Sequence, residues 1–246
     1  MTKGKLSSLT VLRISCFFIN PTVLSIRSFK IPEKIQSFSP FYDNSFIGLI
    51  ANRNGQETTR FVLFDQQGLE TDSIPYDRQY ENQSGIQSFF YMPEANFYYY
   101  NNSFHVKELY NDTLFSLNPQ LQLSPRYVVN LGEYALVAEQ RYQLTSPREN
   151  PMAGKKYVTT ILENKQYLFL SSPTFDLNKF IVYNKNTKTL ANLLLHYNEP
   201  EKSMFNKHTF TPRYISKDLT TLISFEEPAD PEKEDNPMIV LLTLKP

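Results

Sequence analysis

The triplet Pro-Arg-Tyr occurs twice, at residues 125–127 and 212–214, placing a charged residue inside an otherwise apolar motif each time. Arg126 and Arg213 could grip an anion or a peptide carboxylate through forked hydrogen bonds, with Tyr127 and Tyr214 as contact faces beside them. Equally, each arginine could tie down backbone carbonyls. Arg126 reads as opening a fourth strand of its unit and Arg213 a first, so the triplets differ in setting. A second candidate is the run Phe97-Tyr98-Tyr99-Tyr100, whose rings could stack on a sugar or peptide, or alternate in and out of a strand core. The acidic run Glu226, Glu227, Asp230, Glu232, Glu234, Asp235 offers hard oxygen ligands. It lacks the alternating Asp/Asn-Gly spacing of calcium loops, and with Pro228, Pro231 and Pro237 it reads as a solvated excursion.

Other reactive chemistry has little support. His105, His196 and His208 are far apart and lack the spacing of a metal-binding pair on one element. His105 occupies an alternating strand position, as a satisfied structural histidine would. There is no Gly-x-Ser-x-Gly elbow, no phosphate-binding glycine loop, and one cysteine, Cys16, near the start. No metal, no cofactor and no catalytic residue is therefore expected.

The scaffold behind these residues reads as all-β. The chain of 246 residues contains 16 Tyr and 19 Phe against 7 Gly and no Trp, an aromatic excess that suits pleated, half-buried strands. Lys plus Arg equals Asp plus Glu at 25 each, so no basic field exists to gather nucleic acid. The single cysteine excludes an internal disulfide. No stretch approaches the ~18 apolar residues of a membrane span. At the N-terminus two lysines precede a short apolar run and Ser15-Cys16, but Arg13 interrupts it, so no convincing signal peptide is present and Cys16 is expected in a strand.

Short runs rich in Val, Ile, Phe, Tyr and Thr alternate with Asn, Asp, Pro and Gly punctuation. Strands are expected at Phe46–Asn52, Arg60–Asp65, Tyr167–Ser171, Lys179–Tyr183 and Leu219–Ser224, with Asn54-Gly55 as a tight hairpin. Ile35-Gln36-Ser37-Phe38 returns identically as Ile86-Gln87-Ser88-Phe89. Units set at Gln36, Gln87, Tyr157 and Thr209 follow one another at roughly fifty residues with one longer gap, within the range of propeller blades. Four four-stranded antiparallel units are expected in one domain spanning residues 1–246. Residues 1–30 would be the remnant of an earlier blade, and residues 140–155 a surface loop inserted between units. The fold class is thus an all-β propeller, with a β-sandwich as the alternative. The apolar run Met238–Leu244 must be a paired, buried strand, with Leu241 in the core.

Tyr110-Asn-Asp-Thr-Leu-Phe115, Leu123-Ser-Pro-Arg-Tyr-Val-Val-Asn-Leu-Gly132 and the closing Asp235–Pro246 pattern resemble the six-bladed, TolB-like β-propeller lipoproteins of Bacteroidetes. The resemblance covers about residues 31 to 246 and implies a cell-envelope or periplasmic location with no established activity. Members of that family are longer, with a lipoprotein signal and earlier blades, which implies an N-terminally truncated member. The resulting expectation is a non-catalytic binding or scaffold module for an unknown peptide, carbohydrate or protein ligand. The alternative is a propeller hydrolase or lyase acting on sugars or lactones, which would need convergent carboxylates or histidines and usually a metal.

Overall fold

A computed structural model describes residues 14–18, 30–82, 85, 93–146, 149–172, 174, 179–194, 212–216, 218–226 and 238–243. It is all-β, with sixteen strands among the described residues arranged as four four-stranded antiparallel sheets. The chain divides into two compact units, residues 25–159 and residues 1–24 with 160–246.

The first unit holds two sheets. One comprises β2 (Ile35–Pro40), β3 (Phe46–Ile50), β4 (Thr59–Phe64) and β5 (Glu70–Pro75). The other comprises β6 (Ala95–Tyr100), β7 (Ser103–Glu108), β8 (Thr113–Leu117) and β9 (Leu123–Val128). Each is a consecutive meander. The two first strands, β2 and β6, lie side by side. That is the pattern of propeller blades rather than the crossing between sheets of a Greek-key sandwich.

Aromatic side chains weld these two sheets, which accounts for their abundance. Phe41 meets Phe104 edge-on at 4.9 Å between ring centroids, and Phe61 meets Phe97 at 6.2 Å. Ile47, Leu49, Ala95, Val106 and Leu117 complete the shared core. In β4, Phe61, Val62 and Phe64 are all buried, so both faces of the strand are covered, as the unbroken apolar run requires.

The second unit repeats the plan with β10 (Thr160–Glu163), β11 (Tyr167–Ser171), β12 (Lys179–Asn184) and β13 (Thr189–Leu194). Its other sheet runs β14 (Tyr214–Ile215), β15 (Thr221–Glu226) and β16 (Met238–Thr243), and its fourth strand is β1 (Ile14–Phe18). The pairing of β1 with β16 is antiparallel, from Ile14 opposite Leu242 to Phe18 opposite Met238. Residues 14–18 are therefore not part of an earlier blade: they complete the last sheet. The reason is physical, since β16 is the most apolar strand of the chain and an open edge there would be a template for aggregation.

The expected strands are present, with the start at Leu219 displaced. Leu219 has a left-handed φ of 62° and turns the chain, so β15 begins at Thr221. Of the exact repeat, Ile35–Phe38 lies on β2 and Ile86–Phe89 lies outside the described residues. Nor is Asn54-Gly55 a two-residue hairpin, since residues 51–58 separate β3 from β4. The tight turn is at Asn101-Asn102, between β6 and β7, where φ values of 52° and 58° match the left-handed pair that a two-residue hairpin needs.

In β16 the faces also differ from expectation. Leu242 is buried with Leu162, Phe169, Phe180 and Leu222, whereas Leu241 is only half-buried on the opposite face. Leu242→Ala should accordingly cost ~2–5 kcal/mol and Leu241→Ala clearly less. Urea unfolding of the two variants checks this, and equal losses would mean that the register is wrong.

Candidate functional site

A cleft of about 300 Å³ opens within residues 25–159. It is lined by ends of β-strands and by the segment after β9, with an unusual density of charge: Arg60, Arg78 and Arg141 among Asp77, Glu94, Glu108, Asp112 and Glu139. Four tyrosines, Tyr76, Tyr80, Tyr110 and Tyr142, and the amide of Asn52 complete its character.

Glu94, immediately before β6, is 4% exposed and Arg141 3%. They form a two-pronged pair, with Arg141 Nη1 donating to Oε2 at 2.7 Å and Nη2 to Oε1 at 2.9 Å. Gln36 on β2 adds a third bond to Glu94 Oε1 at 3.2 Å. The Tyr110 ring lies beneath the Arg141 guanidinium, 5.2 Å away. Arg60 on β4 likewise grips Glu108 at the end of β7, through Nε at 3.1 Å to each carboxylate oxygen and through Nη2. Burial pulls both arginines down, but the facing carboxylates outweigh it and both stay cationic.

Arg141 and Tyr142 come from a short 3₁₀ turn, Ala138–Tyr142, within the segment expected to be a solvated insertion. Arg141, Tyr142, Leu144 and Met152 are buried there, so residues 140–155 are in part a wall of the cleft and not merely a surface loop. The polar sequence concealed this because a paired arginine can be buried at no greater cost than its partner repays.

Asn52 is the residue at which the cleft's bonds meet. It is 4% exposed. Its N–H donates to the Tyr76 hydroxyl at 3.2 Å, its Oδ1 accepts from the Glu57 N–H at 3.1 Å, and its carbonyl accepts from the Tyr142 hydroxyl. Its Nδ2 is buried and has no hydrogen-bond partner, and the residue belongs to the lining of the cleft. The Tyr142 ring stacks on Tyr80 at 4.6 Å and 19°. Tyr80 is held by backbone: its N–H donates to the Gly55 carbonyl at 2.8 Å, and its own carbonyl accepts from Gln56 Nε2 at 2.7 Å. A Cβ at residue 55 would sit 2.3 Å from the Tyr80 carbonyl, and φ there is +83°. Only glycine fits.

Arg126, Tyr127, Arg213 and Tyr214 line no part of this cleft. Arg126 lies on β9, the fourth strand of its sheet, where its Nη1 donates to His105 Nε2 at 3.0 Å and its guanidinium lies over Tyr100 and Tyr127. His105 is buried, with its Nδ1 3.0 Å from the Ser116 hydroxyl. Since an arginine can only donate, Nε2 accepts and Nδ1 carries the proton. Arg213 precedes β14, the first strand of its sheet, and both it and Tyr214 are exposed. Among the described residues no three His, Cys, Asp or Glu side chains are placed to hold a metal ion. Glu227, Asp230, Glu232, Glu234 and Asp235, with His196 and His208, lie outside the described residues. Among those described, no helix is long and apolar enough to cross a membrane.

Two consequences can be measured. Replacing Arg141 by Leu leaves Glu94 buried without its cation and should cost ~3–5 kcal/mol, and Glu94→Leu should cost a similar amount. The double variant should recover much of the loss, so an additive denaturation cycle would contradict the pairing. The second consequence concerns Lys107, which is buried on β7 with Nζ donating to the Glu108 carbonyl at 2.7 Å. Burial lowers it to about 8, with Asp112 and Glu108 pulling the other way. An unfolded lysine keeps its proton to about pH 10.4. Between about pH 8 and about pH 10 the unfolded chain therefore binds more protons, and stability rises with pH. Burial raises Tyr142 to about 12 and raises Tyr76 as well, while unfolded tyrosines ionise near pH ~10, so stability falls above that. Lys107→Met should abolish the rise and keep the fall, as read from denaturation midpoints across that range.

The comparisons with known proteins bear on the fold. No curated protein matches the sequence. Among solved structures, a Bacteroides fragilis NCTC 9343 protein inferred to be exported aligns over 86% of this chain and 66% of its own, at 13% identity and a TM-score of 0.56. An oligogalacturonate lyase in complex with manganese aligns over 85% of this chain and 49% of its own, at 10% identity and a TM-score of 0.40. Dihydro-heme d1 dehydrogenase NirN in complex with DHE aligns over 86% of this chain and 39% of its own, at 10% identity and a TM-score of 0.37. This chain thus spans just under two thirds of the first structure and less than half of the others, and the first likeness is one of fold alone. Over residues 13–243 the sequence matches the model of a domain of unknown function, DUF4934, and the chain belongs to that family.

Proposed function

We propose that this chain is a non-catalytic binding module that holds a small polar ligand in the cleft of residues 25–159. The observation that carries this reading is Asn52, a residue of the cleft lining whose buried Nδ2 donor has no protein partner. An unmade bond at a buried polar group costs about 1–3 kcal/mol, a cost that an oxygen acceptor on a ligand would remove. Rigid sheets carrying a preformed cleft suit recognition without chemistry. The likeness to an exported Bacteroides protein supports a place in the cell envelope, as does the resemblance to TolB-like, six-bladed lipoproteins. Peptide, carbohydrate and protein ligands remain the classes to compare, and Arg126, Tyr127, Arg213 and Tyr214 are proposed as ligand contacts separate from the cleft.

The second reading is a hydrolase or lyase acting on sugars or lactones, favoured by the five carboxylates that converge on the cleft. Against it, both oxygens of Glu94 are taken by Arg141 and Gln36, and both of Glu108 by Arg60, which leaves neither placed to exchange a proton with a substrate.

The test is a ligand-observed NMR screen of neutral, cationic and anionic monosaccharides and dipeptides. It uses the wild-type protein and Ala138→Trp, which fills the cleft without removing a bond. At least one ligand should bind the wild type and lose at least about tenfold in affinity to the variant. The same spectra should show that ligand unchanged after long incubation. Binding indifferent to Ala138→Trp would refute the cleft, whereas product formation would establish the second reading. Arg126→Gln and Arg213→Gln are parallel arms: lower affinity with an unchanged melting temperature would establish ligand contacts at those residues, separate from the cleft.

A further inference from the structure

Resting on the cleft reading above, we infer that its ligand is a small organic cation, a molecule carrying a protonated amine or guanidinium together with an oxygen acceptor. The inference comes from how the charges of the cleft are already spent. Arg60 is paired with Glu108, Arg78 with Glu139, and Arg141 with Glu94. Every arginine of the lining thus faces a carboxylate, and an anion would have to displace a glutamate to be bound. Two carboxylates of the lining, Asp77 and Asp112, have no hydrogen-bonded or ion-paired partner among the described residues. Lys107 sits behind the wall, directed at the Glu108 carbonyl, and offsets only part of this excess.

The aromatic surfaces agree. Arg78 lies over the Tyr80 ring at 4.6 Å and Arg141 over Tyr110 at 5.2 Å, so the rings of the cleft already serve as platforms for cations. The Tyr80–Tyr142 stack is fixed in place by Gly55 and Asn52, as described above. Asn52 Nδ2 imposes the second requirement, because a donor in need of a partner selects a hydroxyl or carbonyl oxygen on the same molecule. A volume of about 300 Å³ is at the small end for ligand pockets and suits one sugar ring or one amino-acid unit. Amino sugars and basic amino-acid derivatives share this chemistry.

The decisive experiment holds size constant and changes charge. D-glucosamine, D-glucose and D-glucuronate form one series; N-acetyl-L-argininamide, N-acetyl-L-citrullinamide and N-acetyl-L-glutamate, whose α-amines are blocked, form the other. All six are titrated by ligand-observed NMR at a pH where the amines are protonated, against wild type, Ala138→Trp, Asp112→Asn and the exposed-site variant Asp77→Asn. At least one of the two cations should bind about tenfold or more tightly than its neutral and anionic counterparts, and whichever binds names the source. Added salt should weaken that binding, Asp112→Asn or Asp77→Asn should reduce it by about tenfold, and Ala138→Trp should abolish it. Glucuronate or N-acetyl-L-glutamate binding as well as the cations, in a manner still blocked by Ala138→Trp, would overturn the charge assignment and leave the cleft reading intact. Cation binding unaffected by both aspartate variants would also overturn it. Failure of all six probes, while a different ligand from the wider screen is still blocked by Ala138→Trp, would overturn this inference alone.

Discussion

A buried carboxylate must find a cation, and in residues 25–159 that constraint organises everything around the cleft. Glu94 stands at the entry to β6 and, at 4% exposed, its charge is almost cut off from water. Arg141 meets it in a planar, two-bond geometry that a lysine could not reproduce. To deliver that guanidinium, the segment after β9 must fold back over the two sheets, and its apolar residues Leu136, Met152 and Tyr157 then pack against Leu109. Tyr142, one residue along, is carried to the Asn52 carbonyl by the same turn. One ion pair thereby fixes both a wall and an aromatic floor. The gain is in specificity of arrangement, since an apolar pair of equal volume would stabilise the fold at least as well.

The remaining unit also pairs a buried carboxylate with a cation. Glu163, at the end of β10, is buried and accepts from Lys185 Nζ at 2.9 Å across the turn that follows β12. That turn is shaped by Asn184, whose Oδ1 accepts from the N–H groups of Asn186 and Thr187 at 2.9 and 3.2 Å. Asparagine side chains replace glycine as turn formers throughout, at Asn101, Asn102, Asn164 and Asn184, which explains how so many hairpins are made with so few glycines.

The strands were legible because their signal is local. Runs such as Phe61-Val-Leu-Phe64 and Tyr167-Leu-Phe-Leu-Ser171 announce doubly covered strands by composition alone, and the third-to-fourth hairpins at residues 117–123 and 184–189 were marked by asparagine and proline. The pairing of β1 with β16 could not be read in this way, because it joins segments more than two hundred residues apart and nothing in either run names its partner. The cleft was hidden for a different reason. Most of its residues are charged or polar and come from six separate segments, and those that are buried, such as Glu94 and Arg141, are so because they satisfy one another. Sequence reasoning assigns such residues to solvent, as it did for Arg141. The one local trace was Gly55, whose positive φ was foreseen but whose purpose, the close approach of the Tyr80 carbonyl, was not. The Pro-Arg-Tyr triplets drew notice as repeats, yet they occupy the fourth strand of one sheet and the approach to the first strand of another, so shared letters did not mean a shared role.

The cleft is costly to maintain, and that cost bears on what it is for. Lys107 is buried with its ammonium on a backbone carbonyl, Asn52 keeps an amide donor unbonded, and five carboxylates crowd against three arginines. Each feature lowers stability in a domain whose net margin is only about 5–15 kcal/mol, and each could be removed by an ordinary apolar substitution. Elsewhere the same unit uses apolar and aromatic packing freely, as the Phe41–Phe104 contact shows. A fold able to build a dry core a few ångströms away, yet holding polar groups open at one place, has those groups positioned for something outside itself. The stacked tyrosines and the clamped arginines then have a common physical role: they hold the cleft open and its dipoles oriented before a ligand arrives, so that binding need not include the cost of ordering them.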